Sequence, residues 1–159
     1  MKELKNKIKD ELILKLESEL KEIENAANSS RAYANQDDLK SESKYDTRAI
    51  EATYMAQAQE VRVEELKQDL QMIKDLEIEH KSKHVELGSL VLLEQNGRDI
   101  WYFISSALGG TILNIDDYII LVISVFSPVG SEALNLEEGD SFEVETPKEN
   151  RQYQIKKIY

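Results

Sequence analysis

The stretch SPVGSEALNLEEGDSFEVETP, residues 127–147, decides how the second half of this chain folds. Ser127 and Pro128 open it with the residue types preferred at an N-cap and at a first helical position, which predicts a short helix. Gly139 predicts a turn, and the alternation of apolar and acidic residues over 141–146 predicts a strand. A helix, a turn and a strand in so short a segment indicate an α+β domain.

Neighbouring segments have the patterns of further strands. Apolar residues that alternate or run continuously predict four of them, over 89–94, 100–105, 118–126 and 151–159. The run YIILVISVF at 118–126 is almost entirely apolar, so we expect that strand to be buried on both faces. Asn96-Gly97 predicts a hairpin turn between the first two strands. Together these patterns predict a small antiparallel sheet with one short helix over residues 85–159.

The first half of the chain has a helical pattern. All six glycines and both prolines lie beyond residue 87, and these residues disfavour helix interiors. Apolar residues recur at spacings of three and four in two stripes. The first stripe consists of Leu4, Ile8, Leu12, Leu16, Leu20, Ile23 and Ala27. The second consists of Ala52, Ala56, Val63, Leu66, Leu70 and Ile73, and the polar Gln59 occupies the position between Ala56 and Val63 that would continue it. A polar segment, 28–46, separates the stripes. We therefore expect a long antiparallel helical hairpin with coiled-coil packing over 1–80, and a domain boundary at His80–Val85.

Composition excludes several classes of protein. The chain has 159 residues, 41% hydrophobic and 32% charged, with a net charge of −11 and no cysteine. Disulfides, thiolate metal sites and thiol nucleophiles are therefore excluded. The acid excess argues against nucleic-acid binding by counterion release. The sequence shows neither a secretory signal nor an apolar run of the roughly 20 residues that span a bilayer, so we expect a cytoplasmic protein without a membrane partner.

Beyond these patterns, the sequence resembles a known family. Residues 127–147, the following strand RQYQIKKI and the segment VELGSLVLLE at 85–94 are similar to the C-terminal domain of Gre-type (GreA/GreB) bacterial transcript-cleavage factors. The similarity is specific over 85–159 and mostly architectural over 1–80. It implies an α+β fold: a long antiparallel α-helical hairpin, with an acidic tip near 35–46, followed by an FKBP-like antiparallel β-sheet domain with one short helix.

The resemblance also implies an activity. Such factors bind RNA polymerase at the rim of its secondary channel and insert the hairpin. Acids at the tip then share a second Mg²⁺ with the polymerase active site, and the polymerase cleaves the 3′ end of the nascent RNA in backtracked complexes. On this reading the protein is a monomeric transcription elongation regulator. It is not itself an enzyme, and the free protein binds no cofactor.

The resemblance implies two groups of site residues. At the tip, the family pattern G-D-L-S-E-N-A-E-Y corresponds to DDLKSESKY at 37–45, with Ser41 in the place of the family's second acid. The catalytic, transiently Mg²⁺-binding pair is then Asp38 and Glu42, and Asp37 and Asp46 are supporting acids. A factor that occupies the channel without stimulating cleavage is the alternative.

The second group is the polymerase-docking step, formed by Phe126, Ser127 and Pro128. Phe126 has two alternatives: an exposed apolar anchor for the polymerase, or the last core residue of the preceding strand.

Two other classes of function are weaker. An FKBP-like prolyl isomerase or chaperone lacks an aromatic-lined proline pocket in the sequence, and a dimeric coiled-coil scaffold conflicts with the polar break at 28–46.

Overall fold

The computed structural model describes residues 1–34, 47–78, 82–147 and 149–159. The elements, in chain order, are α1 (Lys2–Ala34), α2 (Thr47–Asp75), β1 (Leu90–Gln95), β2 (Arg98–Ser105), β3 (Ile112–Ile115), β4 (Tyr118–Ser124), α3 (Pro128–Ala133), β5 (Ser141–Glu145) and β6 (Asn150–Ile158). The chain forms two compact units, Leu14–Gln71 and Met1–Ile13 with Met72–Tyr159. The predicted fold class, a helical hairpin followed by a sheet domain with one short helix, is confirmed.

The unit Leu14–Gln71 consists of the facing parts of α1 and α2. Among its described residues, the buried apolar side chains belong to the two predicted stripes: Leu16, Ala27, Ala56, Val63 and Leu66. Ion pairs join the helices at their margins, with Arg62 Nη2 2.8 Å from Glu19 Oε1 and Arg31 Nη2 2.6 Å from Glu60 Oε1. Half-exposed pairs of this kind contribute about 0–1 kcal/mol each, so the apolar seam supplies most of the stability.

The sheet has six strands in the order β3-β4-β2-β1-β6-β5. The predicted antiparallel pairing is correct for four of the five neighbouring pairs, but β2 and β4 run parallel, so the sheet is mixed. The reason is β3, a four-residue strand that the sequence analysis did not predict. It reverses the chain between β2 and β4, and β4 then lies beside β2 in the same direction.

The expectation that 118–126 is a strand buried on both faces is wrong in part. β4 ends at Ser124, Ile119 is 66% exposed, and Phe126 lies beyond the strand. Ile119 pairs with Asn114 of the short edge strand β3, at the margin of the sheet, where less of the structure covers a strand. The continuous apolar run of 118–126 therefore predicts more burial than β4 has at this edge of the sheet.

Two local predictions in this domain are confirmed. Asn96 and Gly97 connect the β1–β2 hairpin with φ of 52° and 75°, the positive values that a type I′ turn requires. α3 begins at Pro128 with Ser127 as its N-cap. The helix contributes Ala133 to a core of buried residues on one face of the sheet, made of Val85, Val91, Leu93, Tyr102, Ile104, Ile123, Val144, Tyr153, Ile155 and Ile158.

Candidate functional site

The loop between β4 and α3, which we call the Phe126 step, is held by a compact set of hydrogen bonds. Ser127 Oγ donates to the carbonyl oxygen of Ser124 at 2.7 Å and accepts from the Gly130 backbone N–H at 3.1 Å. The same Ser124 carbonyl accepts from the Ser127 backbone N–H at 2.9 Å, and Ser124 Oγ accepts from the Phe126 backbone N–H at 3.2 Å. One hydroxyl therefore caps the helix and closes the loop at the same time. The backbone on both sides of Phe126 is fixed by these contacts.

Gly130 permits this arrangement because it has no side chain. A Cβ at this position would lie 2.0 Å from the Ser124 carbonyl oxygen and 2.9 Å from its carbonyl carbon. No side chain can occupy that space, and neither partner atom can move away, because both belong to the backbone of β4. The close packing of α3 on the end of β4 thus depends on glycine.

Phe126 is 84% exposed at the centre of this step. The alternative that it is the last core residue of the preceding strand is therefore wrong. An aromatic ring held in water by an ordered backbone has a large apolar area available for a partner at little cost in ordering. Its role in docking on a polymerase remains a prediction.

Two more apolar side chains are exposed on the same domain. Ile112 of β3 is 60% exposed and Ile119 of β4 is 66% exposed. Ile112 pairs directly with Leu121, and Leu121 is two residues from Ile119, so all three side chains lie on one face of the sheet. On this same face, Leu121 packs against the buried core to which α3 contributes Ala133. Apolar side chains are therefore available at the β3 edge as well as at Phe126.

The predicted tip acids Asp37, Asp38, Glu42 and Asp46 lie outside the described residues. Within the described ranges, no three histidine or acidic side chains come together in a group that could hold a metal ion. The prediction of a transient Mg²⁺ contact at Asp38 and Glu42 therefore stays a prediction.

Charges in the hairpin are arranged as cross-helix pairs. Hydrogen bonds from Arg62 to Glu19 and Glu65 raise the pKa of the guanidinium, which stays charged. Two turns along α2 from Arg62, burial raises the pKa of Asp69, and the positive charge of Arg62 opposes this shift. The Arg62 guanidinium is thus paired with one acid of α1 and one of α2, and this geometry indicates a structural role.

Two lysines of α1 connect the start of that helix to the sheet domain within one compact unit. Lys7 Nζ lies 2.9 and 3.1 Å from the two carboxylate oxygens of Asp116, which raises the pKa of the lysine. Lys5 is buried, its Nζ donates to the Tyr159 carbonyl oxygen, and burial lowers its pKa. The helix start is therefore fixed to the domain that also carries Phe126.

Sequence reasoning found the Ser127 cap and missed two residues that support it. Ser124 accepts hydrogen bonds from the loop through both its carbonyl and its hydroxyl, and Gly130 allows the close approach. A signal was present: a glycine at the third position of a short helix is a poor helix former, so a packing reason should be sought for it.

These observations define a class: a protein with an N-terminal helical hairpin and a six-stranded mixed sheet, in which an exposed aromatic residue directly precedes a capped helix. The family profile described as transcription elongation factor, GreA/GreB, C-term, matches residues 80–159, half of the chain. The chain belongs to this GreA/GreB family of transcription elongation factors. A search of curated protein sequences finds no significant match.

Solved structures that the chain matches include GreA factor homolog 1 (Gfh1) of Thermus thermophilus, at 22% identity and a TM-score of 0.39, covering 92% of this chain and 94% of that one. Gfh1 of Thermus aquaticus is similar at 19% identity and a TM-score of 0.38, with 91% and 92% covered. A GreA/GreB factor of Nitrosomonas europaea, at 19% identity and a TM-score of 0.38, covers 64% of this chain and 91% of its own.

Membrane insertion has no support from the helices of the described residues. None of them combines the length and the continuous apolar character that a bilayer crossing needs.

Proposed function

We propose that this protein regulates transcript elongation by binding RNA polymerase at its secondary channel, and that acids at the hairpin tip promote cleavage of backtracked RNA. The observation that carries the proposal is the exposed Phe126, displayed by a rigid capped step on the domain that matches the GreA/GreB family. The partner is RNA polymerase, and the nascent RNA 3′ end is reached through it.

The docking half of the proposal rests on preorganisation. Hydrogen bonds to Ser124 fix the loop on both sides of Phe126 before any partner arrives. A loop whose backbone is already ordered loses little backbone entropy on association, and aromatic anchors of this kind often dominate protein interfaces. Phe126, with Ser127 and Pro128 holding it, is therefore the docking anchor that we assign to the polymerase rim.

The cleavage half rests on the chemistry of the tip. Asp38 and Glu42 are carboxylates, the ligand type that Mg²⁺ takes alongside water and phosphate oxygens, so the donor set fits such an ion. The ion would supply Lewis-acid activation of water at the polymerase active site. This chain would contribute only the two carboxylates, with Asp37 and Asp46 adding negative charge nearby. The protein would thus act as a cofactor of the polymerase and not as a hydrolase.

The decisive experiment measures cleavage of the RNA 3′ end in a stalled, backtracked bacterial polymerase complex, with and without this protein. The test variant is the double substitution Asp38→Ala, Glu42→Ala. The matched control is Glu22→Ala, Glu51→Ala, which removes the same charge from exposed positions on α1 and α2. We expect the wild type and the control to stimulate cleavage, and the tip variant to bind the polymerase equally well without stimulating it.

Binding is measured separately, by competition with a labelled copy of the wild type for the polymerase. A wild type that binds and does not stimulate cleavage would establish the channel-occupying alternative, to which Ser41 in the place of the family's second acid already points. A wild type that does not bind the polymerase would overturn the whole proposal.

A further inference from the structure

One margin of the helical hairpin carries four charged residues that face each other across the two helices. Arg31 Nε and Nη2 lie 2.7 and 2.6 Å from the same carboxylate oxygen, Oε1 of Glu60. Seven residues away on each helix, Glu24 Oε1 lies 3.7 Å from Lys67 Nζ. All four residues line a single groove of about 470 Å³ and belong to the unit formed by residues 14–71. We call them the charge ladder.

The signs of the charge ladder alternate along each helix. On α1 the acid Glu24 precedes the base Arg31, and on α2 the acid Glu60 precedes the base Lys67. Because the two helices are antiparallel, the same order on both places each base opposite an acid. Lys67 is shared, since its Nζ also lies 3.2 Å from Glu64 of its own helix.

Only the observed register of the helices makes both cross-helix pairs favourable. If α2 moved along α1 by seven residues in one direction, Lys67 would face Arg31. If it moved by seven residues in the other direction, Glu60 would face Glu24. Half-exposed ion pairs add little to stability, but like charges across a seam of this kind discriminate strongly between alternative registers.

The apolar seam specifies the register only weakly toward the tip. Leu16 and Leu66 fill the seam with large side chains farther from the tip, whereas the buried residues closer to it are the small Ala27 and Ala56. Small side chains interdigitate little, and Gln59 adds a polar group among them. A shift of seven residues also keeps the apolar stripe of α2 on the seam, because its spacings of three and four repeat every seven residues. Register in this part of the hairpin therefore needs a second source.

The place of the charge ladder in the chain connects it to the tip acids. Arg31 lies in the last turn of α1, seven residues before Asp38 in the sequence. A shift of seven residues moves one helix by about 10 Å along the other, and displacements of about 1 Å at a reacting centre can already be costly. The placement of Asp38 and Glu42 therefore depends on the register of the two helices that their segment connects.

We propose that the charge ladder sets the register of the hairpin, and that Arg31 and Glu60 are positioning residues for the tip acids. Neither residue touches the reacting atoms, and both act through the place that they give to Asp38 and Glu42. The effect on RNA cleavage rests on the proposed function. The register itself is a property of the free protein, so the two can fail separately.

The test measures the register directly. The chain has no cysteine, so Ala26→Cys and Ala58→Cys introduce unique sites for nitroxide labels at exposed positions of α1 and α2. Pulsed electron paramagnetic resonance then gives the distances between the labels. The decisive variant, Arg31→Glu with Glu60→Arg, keeps the net charge and both cross-helix pairs but gives the ladder two acids on α1 and two bases on α2. A shifted register then also pairs Glu24 with the base at position 60, so we expect a second population of distances where the wild type has one.

The matched control is Lys15→Glu with Glu51→Arg, which makes the same changes of sign at exposed positions outside the charge ladder and should keep the single distance. The decisive variant should unfold at the same urea concentration as the wild type and bind RNA polymerase equally well, because its ion pairs persist. Its stimulation of RNA cleavage at saturating protein should nevertheless be about tenfold lower. Ion pairs that only stabilise the hairpin would instead leave both the distances and the cleavage unchanged.

Four results would count against the proposal or part of it. A single, unchanged distance in the decisive variant would overturn it, because the register would not depend on the order of the charges. A second population in the control would indicate a general effect of helix charge. A changed register with undiminished cleavage would remove the positioning role of Arg31 and Glu60. A wild type that stimulates no cleavage would remove the proposed function and that role, while the distances would still decide whether the ladder sets the register.

Discussion

Lys5 and Tyr159 connect the two ends of the folded chain: the Lys5 Nζ donates to the Tyr159 carbonyl oxygen at 3.1 Å, and the lysine is only 4% exposed. This contact joins the first turn of α1 to the end of β6, and it places an ammonium group where burial disfavours its charge. The stability of the protein should therefore depend on pH in a range where lysines in water do not titrate.

The first prediction concerns this pH dependence. Burial lowers the pKa of Lys5 from 10.5, so the unfolded state binds more protons as the pH approaches 10.5 from below. Stability therefore rises with pH in that range, and the rise should disappear in Lys5→Met. Urea unfolding of wild type and variant at about pH 8 and about pH 10 measures the difference.

Lys7 provides the control, because its pKa is raised by its hydrogen bonds to Asp116. A lysine whose pKa is raised in the folded state keeps its full contribution to the free energy of unfolding below pH 10.5 and loses it only above that pH. The difference between wild type and Lys7→Met should thus stay constant where that for Lys5→Met changes. The same pH dependence in both variants would contradict the assignment to Lys5.

The second prediction concerns Gly130. Gly130→Ala places a methyl group 2.0 Å from the Ser124 carbonyl oxygen, and α3 has to separate from β4. We expect a loss of about 3 kcal/mol or more in the free energy of unfolding, at the upper end for overpacking. Gly97→Ala is the comparison: its φ of 75° is strained for alanine, but no atom lies within 4 Å of the new Cβ. That variant should lose only about 1–2 kcal/mol in urea unfolding, and similar losses in the two would contradict the steric explanation.

The third prediction concerns Gln59 in the hairpin seam. Its Oε1 is buried and has no hydrogen-bond partner among the residues that the structure describes, at the one polar position of the second stripe. Gln59→Met keeps the length of the side chain and removes the unsatisfied group, so the hairpin should gain about 1–2 kcal/mol. Far-UV circular dichroism during urea unfolding measures the gain. Gln57→Met, on an exposed position of the same helix, should change little, and an equal gain there would indicate a general effect of hydrophobicity.

The fourth prediction separates docking from folding at Phe126. Because the side chain is exposed, Phe126→Ala should change the free energy of unfolding by no more than about 0.5 kcal/mol. If the docking proposal is correct, the same variant should bind RNA polymerase at least tenfold more weakly, as expected for loss of an aromatic anchor. Ile119→Ala is the matched exposed apolar control. Unchanged polymerase affinity of Phe126→Ala in the competition assay would remove Phe126 from the docking site.

Local chemistry explains what could be predicted from the sequence. The Asn96-Gly97 turn and the Ser127 cap are fixed by adjacent residues, so their signatures are readable without knowledge of the rest of the fold. The two helices follow from apolar periodicity and the absence of glycine and proline. The resemblance of residues 127–147 to the GreA/GreB family is confirmed.

Pairing between distant strands could not be predicted in the same way. β3 has only four residues, and nothing local to it specifies that β4 will lie between β3 and β2. The exposure of Ile119 and Phe126 depends on what covers them, which is a property of the whole domain. Ser124 was missed because its role depends on Gly130, six residues away in sequence and in contact only after folding.

The shared acceptor at Ser124 has an evolutionary consequence. The Ser127 hydroxyl that caps α3 and closes the loop donates to the Ser124 carbonyl, and Gly130 packs against the same carbonyl. None of these contacts involves the aromatic ring of Phe126. The ring can be exchanged for another side chain without disturbing its support. Affinity for a partner can therefore drift by single substitutions at position 126 while selection on Ser127 and Gly130 preserves the scaffold beneath it.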